Sequence, residues 1–334
     1  MQPAMKILVF RLGAMGDILY TTPVLRGLKA RYPDSELTYV TMKKWRDLVK
    51  RNLNVDRVVG LPYCHPDVLG RLKREKFDLL INLQEGKQAA QTCHAIQAEE
   101  RRGNDWRVDC IAPDAETGLL ISREKKDQLA QYRDHMSCTE LFCTVADVEP
   151  DSLTFDYTPG WFSSWRAHHF LRKHRLEKRK PLVALHAYSR GCKSRSWNPK
   201  RVLEVIRALP RVHFLVLNHP SDREQTRCLE GQQNATVALF NFPVQAELLR
   251  KCALFVGIDS GPRNLASAMG IPILWLCGST PPNLVPFFEN EEALTVTHSC
   301  APCFELNCPL NKDCLDGISV QRVVEAIVRN LQQQ

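Results

Sequence analysis

Lys6-Ile-Leu-Val-Phe-Arg-Leu-Gly-Ala-Met-Gly-Asp17 sets four apolar residues in a row, turns through two glycines, and leads into an amphipathic stretch over 18–31. A short run that is apolar on both faces reads as a strand of a parallel sheet, because helices cover such a sheet on either side. Strand, glycine turn and helix form the repeating unit of an α/β fold. Working outward, strands are expected at 36–40, 57–61 and 78–83, alternating with helical patterns at 42–51, 66–76 and 87–98. A further helical stretch lies around 125–145. The segment Val148-Glu-Pro-Asp-Ser-Leu-Thr-Phe-Asp-Tyr-Thr-Pro-Gly160 then breaks the pattern with prolines and polar residues, as linkers do. After it the alternation resumes, with strands at 181–186, 213–217, 254–257 and 271–276 and helices near 200–209, 222–231, 244–252 and 261–269. The expected fold is α/β, with two Rossmann-like, doubly wound parallel-sheet domains. The boundaries read as 1–155, a linker and connecting helix over 156–180, and 181–334. The last domain includes a cysteine-rich loop at 300–314 and a C-terminal helix. Ligands of such sheets sit beyond the carboxyl ends of the strands, so two facing domains would share a cleft there.

Composition agrees with a two-domain globular protein: 334 residues, 44% of them apolar and 25% charged, without repeats or biased tracts. The longest apolar run, Ile271-Pro-Ile-Leu-Trp-Leu-Cys277, falls far short of the roughly 18 residues a membrane span needs. The four apolar residues at 7–10 are too few for the core of a secretory signal, so a cytoplasmic location is expected. Thirteen cysteines in a chain of this length without an export signal read mostly as reduced thiols. The net charge of +8 is uneven: residues 1–160 hold 23 basic and 23 acidic side chains, and 161–334 hold 22 basic and 14 acidic. Residues 166–201 carry twelve Lys or Arg against Glu177 alone, which points to an anionic partner. A nucleic-acid partner is not expected, since no stacking module or helix-turn-helix accompanies the charge.

Several motifs carry candidate chemistry. Asp17 closes the first glycine turn, at the end of the sheet where ligands bind, and is a candidate base; an aspartate that merely favours a helix N-terminus reads the same. Gly13-Ala-Met-Gly16 is no dinucleotide fingerprint. Asp259-Ser260-Gly261-Pro262 follows a strand and opens a helix whose free N–H groups suit a phosphate, although a plain cap with proline in the first turn fits equally. Tyr188-Ser-Arg190-Gly-Cys-Lys193-Ser-Arg195-Ser-Trp197 places three cations in six residues, enough to clamp a diphosphate or to form a solvated basic loop. Cys300, Cys303, Cys308 and Cys314 have a spacing that suits a structural zinc or iron, with buried thiols or adventitious disulfides as the alternatives. Trp161-Phe-Ser-Ser-Trp165-Arg-Ala-His-His-Phe170-Leu-Arg-Lys-His-Arg175 mixes aromatics with cations as membrane-surface helices do, and also as an ordinary connecting helix can.

Taken together, residues 6–23, the strand Phe77-Asp-Leu-Leu-Ile-Asn-Leu83 and Asp259-Ser-Gly-Pro-Arg-Asn-Leu-Ala-Ser-Ala-Met-Gly-Ile-Pro272 resemble glycosyltransferase family 9, the ADP-heptose lipopolysaccharide heptosyltransferases. The tail from Cys300 to Cys314 resembles the heptosyltransferase II type. The resemblance implies a GT-B fold and inverting transfer of heptose from ADP-L-glycero-D-manno-heptose to a sugar hydroxyl of the lipopolysaccharide inner core, with no cofactor or catalytic metal. It implies Asp17 as general base. Gly16, Lys193, Arg195, Asp222, Asp259, Ser260, Gly261 and Asn264 would hold the donor. The acceptor would be an anionic glycolipid, met through peripheral contact with the cytoplasmic face of the inner membrane. One departure stands out: the family's Gly-Pro-x-His reads Gly261-Pro-Arg263-Asn264, an amide in place of an imidazole. A transferase using another nucleotide sugar, a protein acceptor, or a binding module without turnover are the alternatives.

Overall fold

The structure, a computed structural model, describes residues 4–61, 66–104, 137–179, 181–189, 193–280, 282, 288–299, 303, 308 and 313–333; of residues 66–68, 193 and 313 only the backbone is described. The chain divides into two compact units, Met1–Thr158 and Pro159–Pro282 with Phe287–Gln334. Among the described residues no helix is long and apolar enough to cross a membrane.

In the first unit β1 (Lys6–Phe10), β2 (Glu36–Met42), β3 (Arg57–Leu61), β4 (Lys76–Asn82) and β5 (Gln97–Gly103) form one parallel sheet in the order β3-β2-β1-β4-β5. β1 is central, and Ile7, Leu8, Val9 and Phe10 are wholly buried, as the unbroken apolar run requires. The chain leaves β1 towards β2 on one side and returns to β4 on the other, so the sheet's switch point lies between β1 and β4. The single helix expected over 18–31 is two, α1 (Met15–Leu19) and α2 (Thr22–Arg31). Pro23 has no N–H to give Leu19, and the Thr22 hydroxyl donates to the Leu19 carbonyl instead, at 2.8 Å. The helix expected over 42–51 is a 3-10 turn at Lys43–Trp45 followed by α3 (Arg46–Val49). Next come α4 (Pro66–Arg74) and α5 (Lys87–His94). The reading of 87–98 as one helix is corrected at its end, where Gln97-Ala-Glu-Glu-Arg-Arg-Gly103 is the edge strand β5. Its charged composition, with Ala98 as the one apolar side chain, hid it. Gly103 sits at φ 92°, and a Cβ there would come within 2.1 Å of the Asn82 carbonyl oxygen, so only glycine closes this strand on β4. α6 (Cys138–Ala146) begins with a capping box between Ser137 and Glu140; the rest of the helix expected around 125–145 lies outside the described residues. The proline-bearing segment after it is strapped to α2 by Arg26, whose guanidinium donates to Asp151 at 2.7 Å, to Asp156 and to the Ser152 carbonyl.

In the second unit β6 (Leu182–His186), β7 (His213–Asn218), β8 (Ala235–Leu239), β9 (Leu254–Ile258), β10 (Ile273–Leu276) and β11 (Glu291–Leu294) form a second parallel sheet, ordered β11-β10-β9-β6-β7-β8. Its switch point lies between β6 and β9. A Cβ on Gly257 of β9 would stand 2.4 Å from the His186 carbonyl oxygen, so glycine lets these two strands close together there. α7 (Trp161–Lys173), α8 (Pro199–Ala208), α9 (Phe242–Leu249), α10 (Gly261–Ala268), α11 (Asp313–Asp316) and α12 (Val320–Gln332) accompany the sheet. Val202, Val205 and Ile206 of α8 and Val323, Ala326 and Ile327 of α12 join Val183, Phe214 and Val256 in one core cluster. The helix expected over 222–231 is instead a run of 3-10 turns, Pro220–Leu229, with Asp222 itself outside helical geometry at φ −111°.

Candidate active site

Asp17 stands on α1, just past the carboxyl end of β1 and therefore at the first sheet's switch point. Its carboxylate accepts the Ala14 N–H at 2.7 Å and faces the Arg11 guanidinium at 3.2 Å, while its side chain stays one-fifth exposed. Arg11 is buried, donates to the Leu83 carbonyl and lies over the Phe142 ring at 4.9 Å. Burial lowers the Arg11 pKa, but Asp17 and Glu85 outweigh it and hold the cation above its ordinary value. A fixed cation thus keeps a partly exposed carboxylate aimed. The glycine turn supports this: a Cβ on Gly13 would meet Asp17 Oδ2 at 2.5 Å.

A second set of polar groups gathers at the switch point of the other sheet. Asp259 leaves β9, and its carboxylate pairs with Arg195 at 3.0 Å and accepts the Thr280 hydroxyl at 2.8 Å. Arg195 is brought there by the loop after β6, which folds back through Trp197 N–H to the Ala187 carbonyl at 2.9 Å and Ser189 N–H to Ser196 Oγ at 2.9 Å. Ser260 precedes α10, yet its hydroxyl turns back to the Ile258 carbonyl, so it does not cap the helix and the first-turn N–H groups keep their positive end open. Beside this cluster a cavity of about 310 Å³ opens between β6 and β7, with His186, Tyr188, Trp197, Asn218 and Thr226 among its walls. His186 is held neutral by burial, and its Nδ1–H donates to the Leu217 carbonyl at 2.8 Å. Arg195 Nε and Trp197 Nε1 are buried donors without an acceptor among the described residues, as are Arg11 Nε and Trp275 Nε1 elsewhere.

The sequence model of glycosyltransferase family 9 (heptosyltransferase) matches residues 68–313. The chain belongs to this family. It is accordingly a glycosyltransferase, and its two doubly wound parallel-sheet units are those expected of the GT-B class. Lipopolysaccharide heptosyltransferase 3 of Escherichia coli is 23% identical over 290 residues, covering 79% of this chain and 81% of that protein. The crystal structure of a family 9 glycosyl transferase from Veillonella parvula superposes with a TM-score of 0.80 at 19% identity, over 100% of this chain and 99% of that one. The Escherichia coli ADP-heptose lipopolysaccharide heptosyltransferase II superposes with a TM-score of 0.74 at 17% identity, over 98% of this chain and 99% of that one.

For this family member the structure brings together Arg195, Asp259, Ser260 and Gly261, while Asp17 and Gly16 lie in the other unit. Asp222 is half-buried at the end of the β7 loop, where its carbonyl accepts Asn218 Nδ2 at 3.3 Å. Asn264 is 3% exposed, and its Oδ1 accepts from Arg263 Nη1 at 3.1 Å, so this side chain faces into the protein. The cysteine-rich loop lies largely outside the described residues, Cys300 included; among the described residues no three His, Cys, Asp or Glu side chains converge as a metal site. Cys314 is buried, with its sulfur 3.5 Å from where a Cβ on Gly278 would stand, and the Cys303 N–H donates to the Ser279 carbonyl at 3.1 Å.

Sequence reasoning overlooked four contributors: Arg11, Thr280, His186 and the Arg263–Glu291 pair. The first had a signal, a lone cation interrupting the apolar run between Phe10 and Leu12. Thr280 and Glu291 had none, since each meets its partner across 21 and 28 residues.

Proposed function

We propose that the protein is an inverting, metal-independent heptosyltransferase that moves heptose from ADP-L-glycero-D-manno-heptose to a sugar hydroxyl of the lipopolysaccharide inner core at the cytoplasmic face of the inner membrane. The observation that carries this reading is the second unit's switch point: a nucleoside-sized cavity, two buried donors without an acceptor among the described residues, and an uncapped helix start adjoin one another. The cavity takes the adenosine, with Asp222 near the ribose. Arg195, with Lys193 beside it in the chain, and the first-turn N–H groups of α10 take the diphosphate, and Asp259 approaches the heptose.

In the reaction the acceptor hydroxyl attacks the anomeric carbon from the face opposite the phosphate. The new C–O bond forms as the bond to the β-phosphate oxygen breaks, ADP leaves with the electron pair, and Asp17 takes the hydroxyl proton. Arg195 and the α10 N-terminus stabilise the charge that grows on ADP. Calorimetric titration with ADP-heptose, ADP, UDP and GDP tests the donor class, with Arg195→Ala in parallel. Selective binding of ADP and ADP-heptose that weakens in the variant is expected, together with turnover that survives EDTA. Binding of another nucleotide alone would change the donor. Asn264, turned inward onto Arg263, favours a second reading in which donor binds without transfer; product formation from labelled donor and inner-core acceptor decides against it.

A further inference from the structure

α7 turns its bulkiest side chains away from the protein. Its buried residues are Ala167 and Leu171, whereas Trp161 is 82% exposed, Phe162 53% and Trp165 58%. At 3.6 residues per turn these three aromatics and His169 share the outward face. They also order one another: Phe162 and Trp165 stack with centroids 5.8 Å apart and planes 17° off, and Trp165 and His169 stack at 5.7 Å and 19°. Among the described residues the only other exposed large hydrophobics are Leu53 and Val328, so this ridge is a local concentration and not a general property of the surface.

The charge along the ridge and the turn after it is mainly positive. Arg172 and Lys173 occupy the last turn of α7 on the same side, and Arg175, Lys178 and Arg179 follow, all exposed. The single acid in the segment, Glu177, faces His168 at 3.2 Å. A protein partner would be met by a rim of mixed charge; aromatic anchors beside unopposed cations are the complement of a headgroup layer carrying phosphates.

We infer that the outward face of α7 is an anionic-lipid anchor, in which Trp161, Phe162 and Trp165 enter the boundary between headgroups and acyl chains while Arg172, Lys173, Arg175 and Lys178 meet lipid phosphates. This rests on the proposed glycolipid acceptor for its purpose and on α7 alone for its physics. Co-sedimentation of the full chain with phosphatidylcholine vesicles, and with vesicles that also contain phosphatidylglycerol, tests it. Binding is expected to the anionic vesicles and to weaken as salt rises. Trp161→Ser combined with Trp165→Ser should cut the partition at least about tenfold, and each of Arg172→Gln and Lys173→Gln about fivefold. Brominated lipid should quench the wild-type tryptophan fluorescence and spare much of the double variant's. Because these rings stack on each other and on His169 on an outward face, the variants should keep the wild-type melting temperature and its transfer to a soluble, delipidated acceptor. The anchor is overturned if anionic vesicles are not bound, or if the double variant binds them as well as wild type. It is also overturned if the ridge instead holds a dimer that the double variant dissociates. Vesicle binding with these losses supports the anchor even where no transfer is detected, a result that counts against the enzyme reading alone.

Discussion

Asp17 and Arg195 show how single residues acquire a role from what holds them. Asp17 is kept between a backbone N–H and a buried cation, so removing its charge should separate chemistry from binding. Asp17→Asn is expected to lower turnover by about 10²- to 10⁴-fold while calorimetry finds donor affinity unchanged; near-normal turnover would remove it as the base. Gly13→Ala tests the same carboxylate through its support, since the new methyl would stand 2.5 Å from Oδ2 and displace it. Turnover should fall in that variant with ADP binding intact. Arg195→Ala should do the converse, weakening ADP by about ten- to a hundredfold, the range for a lost hydrogen bond to a charged group.

At the scale of elements, α10 is tied to β11 by Arg263 and Glu291, both fully buried, with the guanidinium also 4.9 Å from the centre of the Trp275 ring. Removing one partner strands a buried charge, so Arg263→Met or Glu291→Leu alone should cost about 3–5 kcal/mol in chemical denaturation. The double variant should recover most of that loss, because an apolar pair leaves no charge unpaired; an additive loss would contradict this account. At the start of β7, burial and the nearby Arg179 depress the His213 pKa from its ordinary 6.5 to about 4. The unfolded chain therefore takes up the proton first. The stability that neutral His213 supports is complete above pH 6.5 and is lost as the pH falls from there towards 4. Melting temperatures across that window should fall less steeply in His213→Gln than in the wild type, and identical slopes would exclude His213 as a source of acid sensitivity.

For the whole molecule, each unit carries its own sheet and its own buried core, and each places its polar residues at its own switch point. Much of this was legible in the chain. The apolar runs at 7–10 and 182–186 announced central parallel strands, the glycine turn announced the switch point beyond β1, and the 57–61 strand lies where its pattern put it. The sequence of elements follows from local periodicity and turn chemistry, which depend on neighbours a few residues apart. The edge strands β5 and β11 escaped this reading because their composition is largely charged, and the short apolar edge strand β8 escaped it as well. Family resemblance pointed to Asp17, Arg195 and Asp259 as separate residues. Only the tertiary structure decided that Arg195 meets Asp259 across 64 positions, that Arg11 is buried against Asp17, and that Asn264 turns onto Arg263. Those outcomes depend on strand order and on how side chains fill the space between elements, and no local pattern encodes either.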